Sequence, residues 1–212
     1  MSAPIQQPQP LVTRVSANVV SMSLEILDRM ERAVAKVRER LLRATAALNA
    51  AGIPYAVVGG NAVASWVATV DEGAVRNTRD VDLLVRRSDL PAITAALEQV
   101  GFVSGELLGV TMFRDGIDGK PSEAVHLLFA GERLRPDHLL PAPAIQTMED
   151  PANFQVIVFD SLLEMKLMSN RDKDRTHLRD LIGVGLIDAS RLPRLPPELA
   201  ERLKQLLDNP EG

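Results

Sequence analysis

The amino-acid sequence predicts an α+β fold, in which a long N-terminal helix and a helical C-terminal region flank a mixed α/β centre. Residues 21–51 lack Gly and Pro and repeat apolar residues every three or four positions, which is the helical period. Residues 53–160 alternate short apolar runs with helical patterns, and helical patterns return in residues 161–212. The 212 residues are enough for one domain with a helical appendage.

The N-terminal region divides into a tail and a helix. Residues 1–20 are predicted to be a disordered tail, because residues 1–16 hold three Pro, three Gln and few large apolar side chains. The helix is expected over residues 21–52 and ends at Gly52. Its apolar stripe either packs on the helix's own domain or forms a short coiled-coil seam, so residues 24–50 are a predicted contact for a dimer or a partner protein. The stripe consists of Leu27, Met30, Val34, Val37, Leu41, Ala44 and Leu48.

The centre of the chain alternates predicted strands and helices. Short apolar runs indicate strands, and a longer apolar period after a capping residue indicates a helix. Ser88 is the predicted N-cap of the second central helix, with Pro91 in its first turn. The Pro-rich residues 131–150 are predicted to form a loop. The predicted strands are residues 55–59, 80–85, 107–114, 123–129 and 154–159, and the predicted helices are residues 60–70 and 88–100.

Three helices are predicted after the last strand. Asp160 or Ser161 is expected to cap the first of them, which extends to residue 169. The second covers residues 172–186 and the third covers residues 196–209.

The composition excludes several classes of function. The sequence has no Cys, which rules out disulfides and thiolate-bound zinc, and its three His are scattered singly. Aromatic residues at 3% and a net charge of −4 argue against a base-stacking single-strand binder and against a duplex binder. No apolar run is long enough to span a membrane, and the N-terminus lacks a signal-peptide pattern. We therefore expect a cytoplasmic protein without membrane contact.

The net charge conceals two basic stretches. Residues 1–53 contain seven Arg and Lys against four Asp and Glu. Residues 166–179 contain five basic side chains against two acidic ones. An RNA partner therefore stays open, although sequence-specific duplex binding is not expected.

Asp80 and Asp82 form an acidic pair. They lie two positions apart on a predicted strand, so their carboxylates share one face of the sheet. Neighbouring like charges cost free energy unless a cation lies between them. Mg²⁺ prefers such oxygen ligands and also binds substrate phosphates. A metal site is therefore one interpretation, and a loop cap beside a solvated carboxylate is the other.

Gly59 and Gly60 end one predicted strand and open a helix. Because glycine has no Cβ atom, backbone N–H groups can approach an anion closely, and the positive end of the helix dipole favours an anion there. The other interpretation of the pair is a tight turn with close helix packing. Arg76 and Thr78 add a cation and a hydroxyl just before the acidic pair.

Two segments carry a family resemblance. One comprises the strand that ends in Gly59 and Gly60, the short helix after it and the segment RNTRDVDLLV, and the other runs from Lys166 to Asp180. The first resembles the nucleotidyltransferase superfamily, which has a DNA polymerase β-like fold, and the second resembles its bacterial abortive-infection, toxin-like branch. Together the segments cover about residues 50–187. The resemblance implies a nucleotidyltransferase-like mixed β-sheet flanked by helices.

The resemblance implies transfer of a nucleoside monophosphate (NMP) from a nucleoside triphosphate (NTP) to an acceptor. Asp80 and Asp82 would hold one or two Mg²⁺ ions, and an acceptor hydroxyl would attack the α-phosphate while pyrophosphate leaves. The acceptor stays open among RNA such as a tRNA end, a protein and a small molecule, and the toxin-like branch implies a role in a two-gene system. The implied nucleotide-binding residues are Gly59, Gly60, Asn61, Arg76, Thr78, Lys166, Arg171 and Asp174, and Lys166 is also an implied catalytic residue.

His126 stands where this family has a third carboxylate. Imidazole is a poor ligand for Mg²⁺ but a reasonable general base near neutral pH, so His126 is a candidate catalytic residue. Glu123 has the opposite strand parity and would need a bulge to face the site. The alternative function is that of a catalytically degenerate protein with the same fold, which acts as a binding or regulatory partner. A separate interpretation of His126 is that of a buried, hydrogen-bonded structural residue.

Overall fold

The structure, a computed structural model, describes residues 12–209, with side chains from residue 25 onward. It is an α+β fold in which helices flank one mixed sheet, as the sequence predicts. The elements are α1 (Val12–Ala50), β1 (Tyr55–Val58), α2 (Gly59–Ala68), β2 (Val81–Val85), α3 (Leu90–Gln99), β3 (Phe102–Leu107), β4 (Val110–Asp115), β5 (Val125–Phe129), β6 (Thr147–Glu149), β7 (Gln155–Ile157), α4 (Phe159–Ser169), α5 (Asp172–Gly183) and α6 (Pro197–Asp208).

The sheet has seven strands in the order β3-β4-β5-β2-β1-β7-β6. Its central strand, β2, pairs antiparallel with β1 and parallel with β5. Residues on these three strands are almost all apolar and buried, so the middle of the sheet is the middle of the core. Helices α1 and α3 contact each other. In a second group, α2, α4 and α5 contact one another, and α6 packs against α4 and α5.

The two halves of helix α1 differ in how far their apolar side chains are buried. Leu41 and Leu48 are buried in the core, whereas the side chains of Leu27 and Met30 are 55% and 57% exposed. The apolar stripe thus packs on its own domain only in its C-terminal half. The helix begins at Val12, earlier than predicted, so residues 12–20 of the predicted tail are helical and residues 1–11 lie outside the described residues. The helix ends at Ala50, two residues before the predicted end, and Gly52 has a φ of +65°, the left-handed conformation common after a helix.

The structure corrects two predictions in the centre of the chain. The predicted strand over residues 107–114 is a hairpin, in which β3 and β4 meet at a turn formed by Leu108 and Gly109. Most of β3 is exposed, and its sequence lacks the regular alternation of apolar and polar residues that reveals a half-buried strand. The predicted loop over residues 131–150 contains β6, a three-residue edge strand too short to produce a pattern.

The predicted helix caps were also wrong. Ser88 belongs to a 3₁₀ turn before α3, and its hydroxyl donates to Asp89 at 3.1 Å instead of capping the helix. Helix α4 begins at Phe159 without a side-chain cap, so Asp160 and Ser161 lie inside its first turn. Tertiary packing supports the start of α4, since Phe159 is buried and the centres of the Phe159 and Trp66 rings are 5.1 Å apart.

Candidate functional site

A cleft of about 910 Å³ is lined by residues of β2 and β5, the start of α2, and helices α4 and α5. This size suits a small-molecule or cofactor site. Most of the residues singled out from the sequence line it, although they come from distant parts of the chain. They are Gly59, Gly60, Thr78, Asp80, Asp82, His126, Lys166, Arg171 and Asp174.

Asp80, Asp82 and His126 form a group that could hold a metal ion. Asp82 on β2 lies directly beside His126 on β5 because the two strands pair in parallel register. One ligand atom from each of the three residues lies within 4.8 Å of the others, and Asp82 Oδ1 is 3.7 Å from His126 Nδ1. Two carboxylates suit a hard cation such as Mg²⁺, whereas imidazole suits transition metals better. The donor set therefore fits a divalent cation, with the two carboxylates as its main ligands.

The surroundings of Asp80 keep its carboxylate ionised. The Thr78 hydroxyl donates to Asp80 Oδ1 at 2.8 Å, and Lys173 Nζ lies 4.0 Å from Oδ2. Burial alone would raise the pKa of Asp80, but the Thr78 hydrogen bond and the Lys173 charge outweigh it, so the pKa is lowered. Asn61 Nδ2 donates to the main-chain oxygen of Asp80 at 2.8 Å and so fixes the backbone there.

His126 has distinct roles for its two ring nitrogens. Nε2 lies 2.9 Å from the carbonyl oxygen of Pro121, which can only accept, so Nε2 carries a proton. In the neutral ring Nδ1 then has a lone pair, which faces Asp82. The neighbouring Asp82 carboxylate raises the pKa of His126 against the effect of burial. The ring is thus oriented to accept a proton or to bind a metal through Nδ1.

Gly59 and Gly60 allow α2 to begin directly against the acidic pair. Gly59 has a φ of +67°, and a Cβ atom there would lie 2.0 Å from Asp82 Oδ2. A Cβ atom on Gly60 would lie 2.8 Å from the Thr78 hydroxyl oxygen. The two interpretations of the glycine pair are therefore compatible. The same close packing that requires glycine brings the N-terminus of the ten-residue helix α2 to Asp80 and Asp82.

Lys166 is a buried cation held by α5. Lys166 is only 5% exposed, and its Nζ lies 3.1 Å from Asp174 Oδ1 and 3.0 Å from His177 Nδ1. Arg171 Nε also donates to Asp174, at 2.7 Å. Burial lowers the pKa of Lys166, and the neighbouring Asp174 carboxylate opposes that change. For Asp174 burial acts in the other direction, but the hydrogen bond from Arg171 and the charge of Lys166 outweigh it and hold the pKa of Asp174 well below its usual range. This network orients Lys166 in the cleft.

Three residues considered from the sequence are not brought into the cleft. Arg76 Nε donates to Asp180 on α5 at 2.8 Å, on the protein surface. Asn61 acts on the Asp80 backbone, as described above. Glu123 ends a 3₁₀ turn and lies 3.9 Å from Arg40, so no bulge turns it toward His126.

Sequence reasoning did not assign His177, His138 or Lys173 to the site. Asp174 and His177 are three residues apart on a helix, a spacing that could have indicated a shared face toward Lys166. Lys173 approaches Asp80 only because α5 packs beside α2. His138 lies in an irregular segment between β5 and β6, where no periodicity exists to reveal it.

Comparison with solved structures finds three whose folds resemble that of this chain. A nucleotidyltransferase-like antigenic protein from Paracoccidioides brasiliensis matches with a TM-score of 0.52 and 18% identity, over 83% of this chain and 89% of that chain. The antibiotic-resistance factor ANT(2'')-Ia matches with a TM-score of 0.48 and 13% identity, over 77% and 87% of the two chains. JHP933 from Helicobacter pylori matches with a TM-score of 0.41 and 15% identity, over 82% and 72%.

This chain has the fold of the nucleotidyltransferase superfamily. No protein-family model matches the sequence, and no curated protein matches it either. Among the described residues, no helix has both the length and the apolar character needed to cross a membrane.

Because of His177, we predict that the folded protein loses stability in mild acid. Burial and the charge of Lys166 lower the pKa of His177 from 6.5 to about 4. Between these values the unfolded chain is protonated at this position and the folded chain is not, so protons favour unfolding as the pH falls from 6.5 to about 4. We expect His177 to account for a loss of about 1–2 kcal/mol over this range, after allowance for solvent screening of a half-buried group.

The measurement is urea unfolding of wild type and His177→Asn at several pH values between 4 and 8. Asn keeps a side-chain oxygen that can accept from Lys166 but does not titrate. The variant should show the shallower dependence of unfolding free energy on pH. Equal slopes for the two proteins would contradict this assignment.

Proposed function

We propose that the chain is a metal-dependent nucleotidyltransferase that transfers NMP from an NTP to an acceptor hydroxyl. The observation that carries this proposal is the meeting of Asp80, Asp82 and His126 at the glycine-opened N-terminus of α2. Carboxylates for a cation, backbone N–H groups for an anion and a group able to take a proton are the parts that this reaction needs.

The acidic pair is the proposed Mg²⁺ site, for one or two ions. When bound, Mg²⁺ would neutralise charge on the phosphates and polarise the phosphoryl oxygens. Asp80 supports this role because its pKa is lowered, so its carboxylate needs no deprotonation before it binds a cation. Thr78 and Asn61 position that carboxylate through its side chain and backbone.

The triphosphate is proposed to lie between the start of α2 and the α4–α5 pair. Gly59 and Gly60 would contribute backbone N–H groups from one side. Lys166 would contribute its ammonium from the other, oriented by Asp174 and His177. Arg171 has an exposed guanidinium at the cleft, and it is already hydrogen bonded to Asp174, which limits its freedom. Positioning and charge neutralisation are the main contributions a protein makes to phosphoryl-type transfer.

His126 is the proposed proton acceptor. The acceptor oxygen forms a bond to the α-phosphorus, the bond from that phosphorus to the bridging oxygen breaks, and pyrophosphate leaves with the bonding electron pair. The hydroxyl proton passes to His126 Nδ1, the nitrogen that is not committed to Pro121. The proton that Nε2 donates to Pro121 keeps the ring in this tautomer.

An RNA end is the acceptor that we propose. Exposed basic side chains line the cleft, namely Arg133, Arg135, Arg171 and Lys173. Such a lining attracts a polyanion and repels a cationic small molecule. The toxin-like element from Lys166 to Asp180 suggests the toxin role in a two-gene system as the biological setting.

Asp80→Asn should abolish metal-dependent nucleotide binding and transfer. Loss of one carboxylate removes a cation ligand, and we expect transfer to fall at least about 100-fold. The measurement is incubation with each labelled NTP, Mg²⁺ and total cell RNA, followed by a gel that separates labelled RNA, protein and small molecules. Thermal stabilisation by each NTP with Mg²⁺ gives an independent binding readout.

The control for that experiment is Asp208→Asn, which removes the same charge from an exposed position on α6. It should behave as wild type in both readouts. Label in protein or in small molecules would overturn the RNA acceptor but not the enzyme. No effect of any NTP or metal on wild type would overturn the enzymatic proposal itself.

His126→Asp tests the role of the histidine. If His126 takes the proton, the variant should be less active than wild type, because an aspartate is a much weaker base near neutral pH. The same labelled-NTP assay measures this. Greater activity in the variant would mean that the site lacks a third carboxylate ligand and that His126 is not the base. The fold and the nucleotide site would be unaffected by that outcome.

A second candidate function is partner binding through the N-terminal half of α1. Ile26, Leu27 and Met30 form an exposed apolar patch there. We propose a second copy of this chain as the occupant, with the two helices antiparallel. Residues 25–31 have three acidic side chains and one basic, whereas residues 32–40 have four basic and one acidic, so an antiparallel pairing brings opposite charges together. A catalytically degenerate protein that acts through this helix is the alternative to the enzyme.

Leu27→Glu with Met30→Glu should convert a dimer into a monomer. Two charges in the centre of an apolar seam remove its hydrophobic contact and add repulsion. Size-exclusion chromatography with light scattering on the full chain measures the mass. Ile117→Glu, at another exposed apolar position, is the matched control and should leave the mass unchanged. A monomeric wild type would contradict the pairing.

A further inference from the structure

We propose that Arg40 is a positioning residue that holds the turn before β5 in place and so keeps His126 in the tautomer that can accept a proton. The inference rests on the proposed function, in which His126 Nδ1 takes the proton of the acceptor hydroxyl. Arg40 belongs to α1 and is not among the residues that line the cleft, so it acts through other residues.

Arg40 is a buried cation that contacts three separate segments of the chain. The residue is only 3% exposed, and its Nη1 donates to the carbonyl oxygen of Arg79, directly before Asp80, at 3.3 Å. Its Nε lies 3.4 Å from Oδ2 of Asp115, the last residue of β4. Its Nη2 lies 3.9 Å from Oε2 of Glu123, the last residue of the turn before β5. One guanidinium thus joins the segments that lead into β2 and β5.

Packing does not require a charge at position 40. A buried ion pair is often no more stable than apolar side chains of the same size, so the pair alone does not account for Arg40. A guanidinium, however, carries five donors in a fixed plane and can contact a carbonyl oxygen and two carboxylates at once. These contacts fix the position of one segment relative to another, which apolar packing does less specifically.

The turn that Arg40 holds presents the oxygen that orients His126. This turn runs from Pro121 to Glu123, and its Pro121 carbonyl oxygen lies 2.9 Å from His126 Nε2. Because Glu123 ends the same single turn, its contact with Arg40 limits the movement of that oxygen.

Two acceptors compete for the one proton on the neutral His126 ring. The Pro121 oxygen faces Nε2, and Asp82 Oδ1 lies 3.7 Å from Nδ1. The Asp82 carboxylate would attract a proton to Nδ1, and that tautomer has no lone pair at Nδ1 with which to accept a proton. The hydrogen bond to Pro121 opposes this tautomer. If the turn moved away, the ring proton would shift from Nε2 to Nδ1.

The test is the tautomer ratio of His126 in wild type and in Arg40→Met, measured by nitrogen NMR at about pH 9, where imidazole is neutral. Met fills similar space but cannot hold the turn or the Arg79 carbonyl. Weakening one hydrogen bond should shift the ratio about tenfold toward the Nδ1–H tautomer. The spectrum of His126→Asp identifies the signals that belong to His126.

The transfer reaction gives a second readout. The rate at saturating NTP should fall in proportion to the fraction of His126 rings that keep a free Nδ1. The KM for NTP should stay within about twofold, because Thr78 and Asn61 still hold Asp80.

Two further variants test the same contact. Arg43→Met is the matched control, since Arg43 also pairs with Asp115 but, among the described residues, contacts neither Glu123 nor the Arg79 carbonyl. It should keep the wild-type tautomer ratio. Glu123→Gln weakens the contact from the other side, at a side chain that is 46% exposed and therefore tolerates the change. It should shift the ratio in the same direction as Arg40→Met, by a smaller factor.

An unchanged tautomer ratio in Arg40→Met would overturn the inference, and if that variant does not fold, an unchanged ratio in Glu123→Gln would overturn it. Leu48→Ala opens a cavity under the buried half of α1 and serves as a general loss of stability. An equal shift of the ratio in Leu48→Ala would assign Arg40 a merely structural role and would also overturn the inference. If wild type transfers no NMP, the proposed function fails, whereas the tautomer ratio still tests Arg40, so the two failures are distinguishable.

Discussion

The close contact between Gly59 and Asp82 is the constraint on which the rest of the site depends. Strand β1 pairs antiparallel with β2, which sets Val58 opposite Asp82, and the chain turns into α2 at the next residue. No side chain can occupy the space between Gly59 and the Asp82 carboxylate. The first turn of a helix therefore lies against an acidic strand. The parallel pairing of β2 with β5 adds His126 on the other side of the same carboxylate.

The charges of the cleft come from two layers that face each other. The acidic pair belongs to the sheet, and the cations belong to α4 and α5. Lys166 is buried among apolar neighbours, where an unpaired ammonium is costly, and Asp174 and His177 compensate for that cost. Such a buried network adds little to the net stability of the fold, but it fixes the orientation of its side chains. It sets where the ammonium points before any ligand arrives.

The N-terminal half of α1 and the segment around His138 each carry side chains that packing within the fold does not explain. Leu27 and Met30 stay more than half exposed among the described residues. The ring nitrogens of His138 have no hydrogen-bond partner there. In each case packing alone would favour a different residue, a polar one on the helix and an apolar one in the loop.

Local patterns in the sequence determined the helices, the central strands, the acidic pair, the glycine pair and the unexpected charge at Lys166, because each depends on spacing within a few residues. Only the tertiary structure decided what lies beside them. The register of β2 on β5 put His126 next to Asp82, and the packing of α5 brought His177 to Lys166 and Lys173 to Asp80. The hairpin of β3 and β4 and the edge strand β6 were missed because short or exposed strands have no apolar alternation. Contacts between residues far apart in the chain are set by strand pairing and helix packing, which no local period encodes.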